Sequence, residues 1–116
     1  MPKVTIYHNP RCSKSREALQ LLQSHGIEPN IRLYLENPPT PAELSELLKK
    51  LSIKARELIR TKETLYRELK LDKLNCSEAD LIKLLCKNPI LIERPIVINQ
   101  KKAVIARPPE KLAEII

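Results

Sequence analysis

Val4-Thr5-Ile6-Tyr7-His8-Asn9-Pro10-Arg11-Cys12-Ser13-Lys14-Ser15-Arg16 is the stretch that decides the reading of this chain. Val4 and Ile6 alternate with other residues as in a short strand. From Ser13 to His25 the spacing becomes helical, with Ala18, Leu19, Leu21 and Leu22 on one face. Cys12 stands at the junction, so the strand delivers it to the first turn of the helix. Unpaired backbone N–H groups and the positive end of the helix dipole favour a thiolate there. Lys14 and Arg16 add positive charge. His8 adds an imidazole that either makes a structural hydrogen bond or, once protonated, favours the thiolate. A free cysteine is most often a small buried hydrophobe, but the polar residues crowding Cys12 suit a nucleophile better.

Working outward, Gly26 is the only glycine in the chain, and it falls where a helix C′ residue needs positive φ. Asn30–Leu35, with Ile31, Leu33 and Leu35 apolar, reads as a second strand. Strand, helix and strand in succession predict a right-handed βαβ unit with parallel strands. Pro38-Pro39-Thr40-Pro41 then breaks the chain and opens a helix, with Thr40 as N-cap, Pro41 at the first position and Glu43 completing a capping box. Leu44, Leu47, Leu48 and Leu51 form its apolar stripe. Short helices follow around Leu58-Ile59 and Leu65–Leu69, and Ser77 caps another over Glu78–Cys86. After Arg94-Pro95, Ile96–Ile98 and Ala103–Ala106 flank a polar turn as a hairpin, and Pro108-Pro109 opens a last helix. The order βαβ, helices, ββα predicts an α/β, thioredoxin-like fold: a four-stranded mixed sheet in a single domain over 1–116, with a helical insert at about 41–88 between its halves.

Size and composition agree with one domain. The chain has 116 residues, 42% hydrophobic and 30% charged, as expected of a soluble globular protein. Aromatics are 3%, with no Phe or Trp, so Leu, Ile, Val and Ala must build the core. No apolar run approaches a membrane span, and the N-terminus lacks the apolar core of a signal peptide. The net charge of +7 is scattered rather than interleaved with aromatics, so no nucleic-acid partner is expected. Cys12, Cys76 and Cys86 have neither zinc-ligand nor paired-disulfide spacing. No metal or bound cofactor is expected, and a reducing cytoplasm is the natural location.

The residues Ile6–Arg16 closely resemble the N-terminus of the glutaredoxin-linked arsenate reductases, the ArsC family. The resemblance continues through Tyr34-Leu35-Glu36-Asn37-Pro38-Pro39-Thr40, Leu58-Ile59-Arg60 and Asn88–Val97, and closes on Arg107-Pro108. It implies Cys12 as nucleophile, His8 as the histidine that helps activate it, and Arg60, Arg94 and Arg107 around a bound oxyanion. Ser15 joins these as a substrate-binding residue. Guanidinium forks suit a tetrahedral oxyanion through bidentate, charge-assisted hydrogen bonds. In thioredoxin-like folds a cis-proline faces the active-site cysteine, so the Arg94–Pro95 bond is expected to be cis.

The pattern Cys12…Ser15 separates this chain from two relatives. Dithiol oxidoreductases carry CxxC, and Ser15 replaces the second thiol. Phosphatase-like arsenate reductases carry C-x5-R, and Ala18 replaces the arginine. A lone thiol cannot form its own disulfide and needs an external one, which points to glutathione and glutaredoxin as partners. Cys86 on a helix face is expected to be buried, and Cys76 is uninformative. Two other readings use the same scaffold: a general thiol oxidoreductase acting through Cys12, and a non-enzymatic Spx-like regulator that binds RNA polymerase. The latter proteins usually carry CxxC, and Ser15 counts against that reading.

Overall fold

The computed structural model describes residues 4–116. The chain forms two compact units: the segment up to Asn37 together with Arg94–Ile116, and Pro38–Glu93. In the first unit, β1 (Val4–Tyr7), α1 (Ser13–Ser24) and β2 (Asn30–Arg32) precede β3 (Ile96–Asn99) and β4 (Lys102–Ile105). The sheet order is β2-β1-β3-β4. β1 pairs parallel with β2 and antiparallel with β3, and β3 pairs antiparallel with β4. This is the mixed α/β sheet that the element order predicts.

Alternation in β1 puts Val4 and Ile6 into a core with Ala18, Leu22, Val97, Ala106 and Leu112. Side chains two apart share a sheet face, and residues 18 and 22 share a helix face, so α1 packs on the sheet through one stripe. Gly26 has φ +75 and its N–H bonds the Gln23 carbonyl at 3.0 Å, the left-handed close expected of a helix C′ residue. The β3–β4 connection is a two-residue turn at Gln100-Lys101, with φ 58 at Gln100. The last helix is a 3-10 segment, Pro109–Glu114, which buries Leu112.

β2 is shorter than Asn30–Leu35. The Leu33 carbonyl accepts from Glu36 N–H at 3.0 Å and from Asn37 N–H at 2.9 Å, so the chain turns before the strand can continue. The apolar residues that suggested the longer strand lie on the surface: Ile31 is 46% exposed, Leu33 37% and Leu35 40%, while Tyr34 is fully buried. Tyr34 stacks on Tyr7 with centroids 6.1 Å apart, and the Arg32 guanidinium sits 5.6 Å over the Tyr7 ring.

The second unit holds α2 (Pro41–Leu51), α3 (Thr64–Glu68) and α4 (Glu78–Lys87), with 3-10 turns at Ala55–Leu58 and Pro89–Leu91. Thr40 and Glu43 form a capping box: Thr40 Oγ1 accepts from Glu43 N–H and Glu43 Oε1 from Thr40 N–H. Ser77 Oγ accepts from Asp80 N–H at the head of α4. Leu44, Leu47, Leu48, Leu58, Leu81 and Leu85 are buried, whereas α3 buries no residue. A single antiparallel bridge joins Ile59 to Ile92.

Candidate active site

β1 ends at Tyr7, and the next N–H, that of His8, still bonds the Arg32 carbonyl at 2.8 Å. The chain then folds over itself. Asn9 O accepts from Cys12 N–H at 3.0 Å and Asn9 Oδ1 from Arg11 N–H at 3.0 Å. Arg16 reaches back to donate to Pro10 O at 2.8 Å. The loop is thus tied at both ends by its own polar groups, and it sets Cys12 as the N-cap of α1 in an extended conformation. Asn9 was not singled out from sequence, and the Asn-Pro pair, a common turn signal, is where it could have been found.

Cys12 is half-buried. Burial pushes its thiol up, but this is outweighed by a hydrogen bond from Arg94, by the backbone N–H of Ser15, by the Arg94 charge and by the backbone N–H of Lys14. The neutral thiol makes no well-aligned capping bond, so these groups act chiefly on the charged form. The outcome is a thiol held below the ordinary thiol range. The first turn of α1 contains no acidic residue to oppose it.

Arg94 is the cation that matters most to this sulfur. Burial works against its charge, and Cys12 and the buried Tyr34 more than restore it, so Arg94 stays protonated. The Arg94–Pro95 bond is cis, as expected, and Arg107–Pro108 is cis as well, which the sequence did not foreshadow. The Ala106 N–H bonds the Pro95 carbonyl at 2.9 Å, and Arg107 Nη1 lies 3.4 Å from the Arg94 carbonyl. Arg94 and Arg107 therefore come together in the same unit although thirteen residues separate them.

Ser15 and His8 are each other's partners in the structure. Ser15, expected among the oxyanion ligands, has a fully buried side chain whose hydroxyl faces His8 Nδ1 at 2.7 Å and accepts from Asn9 N–H at 3.0 Å. His8 is buried too, and burial followed by the Arg16 charge holds its imidazole below the usual range. The imidazolium expected to favour the thiolate is therefore disfavoured here, and His8 is not among the groups that shift Cys12.

Arg60 belongs to the second unit. Its N–H bonds the Leu91 carbonyl at 2.7 Å, Nε lies 3.3 Å from Glu63 Oε1, and Nη1 lies 3.8 Å from Glu93 Oε1. Neither nitrogen makes a well-directed hydrogen bond in these ion pairs, so the carboxylates balance the charge of Arg60 without saturating its donors. Cys76 and Cys86 are free and only partly buried. Among the described residues, no group of three His, Cys, Asp or Glu side chains is placed to hold a metal ion, and no helix is long and apolar enough to cross a membrane.

A thiol at the head of the first helix, hydrogen-bonded by an arginine just ahead of a cis-proline, on a βαβ–ββα sheet, defines a single-thiol site on a thioredoxin-like scaffold. The chain belongs to the ArsC family, whose model matches residues 7–115. It is 55% identical over 115 residues to the protein YfgD of Escherichia coli K12, covering 98% of this chain and 97% of that one. It is 53% identical to an arsenate reductase of Haemophilus influenzae, covering 97% of this chain and 98% of the other. The solved structure of an arsenate reductase from Vibrio cholerae superposes with a TM-score of 0.94 at 46% identity, covering 97% of both chains.

Proposed function

We propose that this protein is an arsenate reductase that works through Cys12 with glutathione and glutaredoxin as reductants in the cytoplasm. The observation that carries the proposal is the Arg94 guanidinium acting on Cys12, which helps hold its thiol below the ordinary range and supports a site where a thiolate and an oxyanion meet. Relatives named as arsenate reductases at 40–53% identity support the substrate.

Cys12 thiolate attacks the arsenic atom of arsenate, and one oxygen leaves as water after taking up protons. The product is a thiol–arsenate adduct. Arg94 and Arg107 hold the remaining oxygens and offset the charge that builds during attack. Arg60 is the third arginine that the family pattern assigns to the oxyanion, and it has Glu63 and Glu93 to exchange for that partner. Glutathione then attacks the adduct. The As–S electron pair passes to arsenic, giving arsenite, while an S–S bond forms between the two thiols. Glutaredoxin reduces that mixed disulfide and returns Cys12 to the thiol state.

The need for an external reductant follows from Ser15, which leaves Cys12 without a resolving partner in its own motif. The test is arsenate-dependent NADPH oxidation in a coupled glutathione–glutaredoxin system. Turnover is expected only when all components are present. Reduction of mixed disulfides without any arsenate turnover would favour the general thiol oxidoreductase instead.

A further inference from the structure

The hydroxyl of Ser15 has one hydrogen and two lone pairs. One lone pair accepts from Asn9 N–H at 3.0 Å, and the only other partner among the described residues is His8 Nδ1 at 2.7 Å. The side chain is fully buried, so water cannot take the hydrogen. A buried donor left without an acceptor costs more than an ordinary hydrogen bond contributes. The hydrogen must therefore point at Nδ1, and Nδ1 must carry a lone pair rather than a proton. In neutral imidazole that places the ring proton on Nε2, on the ring edge away from Ser15.

His8 is only 6% exposed, and it lines a cavity of about 290 Å³ with Asn9, Pro10, Arg11, Leu33, Leu35 and Glu36. Among the described residues, Ser15 is the only hydrogen-bond partner of its ring. Nε2–H is thus the one polar group that this buried ring has left to offer. The cavity is bounded by the loop that carries Cys12, since Asn9 and Arg11 belong to both.

We propose that Ser15 is a positioning residue that locks His8 as the neutral Nε2–H tautomer, giving the cavity beside the Cys12 loop one fixed N–H donor for a lone pair of an anionic ligand. That lone pair belongs either to an arsenate oxygen or to the sulfur of the incoming glutathione thiolate. The tautomer follows from the hydrogen bonds alone, whereas its use in turnover rests on the arsenate-reductase reading. On this account the serine of the CxxS motif is not a vestige of a resolving cysteine. It fixes which nitrogen of His8 carries the ring proton.

Nitrogen-15 NMR of the histidine ring in the resting protein reads the tautomer with no reliance on turnover. His8 should show an unprotonated Nδ1 and a protonated Nε2 at neutral pH, with His25 as the exposed internal reference. A protonated Nδ1, or an imidazolium at neutral pH, would overturn the lock. Ser15→Ala and Ser15→Thr extend the test to function. Ser15→Ala should mix the two tautomers and lower kcat/KM by about three- to tenfold, the scale of one lost hydrogen bond, and Ser15→Thr should restore the Nε2–H form. A loss confined to the KM for arsenate identifies the oxyanion as the ligand, and one confined to the KM for glutathione identifies the thiol. Loss of activity in Ser15→Ala with the tautomer unchanged would refute the positioning role. A protein that shows the locked tautomer but no arsenate turnover would sink the functional reading and leave the lock standing.

Discussion

Cys12 and Cys86 are both free, both partly buried, and opposite in character. Burial pushes each thiol up. At Cys86 the Glu43 carboxylate adds to it; at Cys12 the Arg94 guanidinium and two backbone N–H groups reverse it. Position on the helix deepens the contrast. Cys12 caps the N-terminus of α1, whereas Cys86 lies in the last turn of α4, where the dipole disfavours an anion. Reactivity in this chain is therefore set by donors and not by exposure.

Exchanging the sulfurs should separate the two thiols most strongly. Cys12→Ser should reduce arsenate turnover to background, because a hydroxyl is a far weaker nucleophile at neutral pH and of similar size. Cys86→Ser and Cys76→Ser should keep it. A folded Cys86→Ser protein as inactive as Cys12→Ser would show that an internal resolving thiol is required.

Removing the donor is the next largest change. Arg94→Ala should lower kcat/KM for arsenate by about 10- to 100-fold, since a hydrogen bond to a charged group contributes on the order of 1.5–3 kcal/mol. It should also raise the Cys12 pKa, moving the rising limb of the pH–rate profile to higher pH because less thiolate is present at any given pH. Arg107→Ala should have a smaller effect, as Arg107 is exposed and its Nη1 lies a long 3.4 Å from the Arg94 carbonyl. Lys101→Ala, on the exposed β3–β4 turn, should have almost none. Equal losses at all three positions would mean that net charge alone attracts the anion.

The smallest effects lie at the helix ends of the two units. α1 is followed by Gly26 at φ +75, while α2 is closed by Ser52 at φ 59, a left-handed conformation without a glycine. A Cβ on Gly26 would meet no atom within 4 Å, so Gly26→Ala isolates the backbone cost, about 1 kcal/mol of stability. Ser52→Gly should gain up to a similar amount. Urea denaturation midpoints at constant slope measure both.

The parts of the fold governed by local spacing were legible in the sequence. The alternation at Val4 and Ile6, the stripe through Ala18 and Leu22, the single glycine and the Thr40–Glu43 box each carry their own signal within a few residues. The second strand misled because its apolar residues are surface residues and its buried one is Tyr34, a side chain whose partners, Tyr7 and Arg94, are remote in sequence. At the site, Cys12 was legible from the strand-to-helix junction. The pairing of Arg60 with Glu63 and Glu93 was not, because ion pairing across a 3-10 turn and a bridge depends on tertiary register. The inward face of Ser15 was available from helical spacing, since Ser15, Ala18 and Leu22 recur at intervals of three and four and all are buried.

If Cys12 is a thiolate poised beside a site for an oxyanion, its alkylation rate across pH, in a Cys76→Ser/Cys86→Ser background with and without arsenate, will show it. The midpoint should lie clearly below the ~8.5 of a free cysteine, and alkylation should slow once arsenate occupies the arginines. A midpoint at or above that value, with no protection by arsenate, would contradict it.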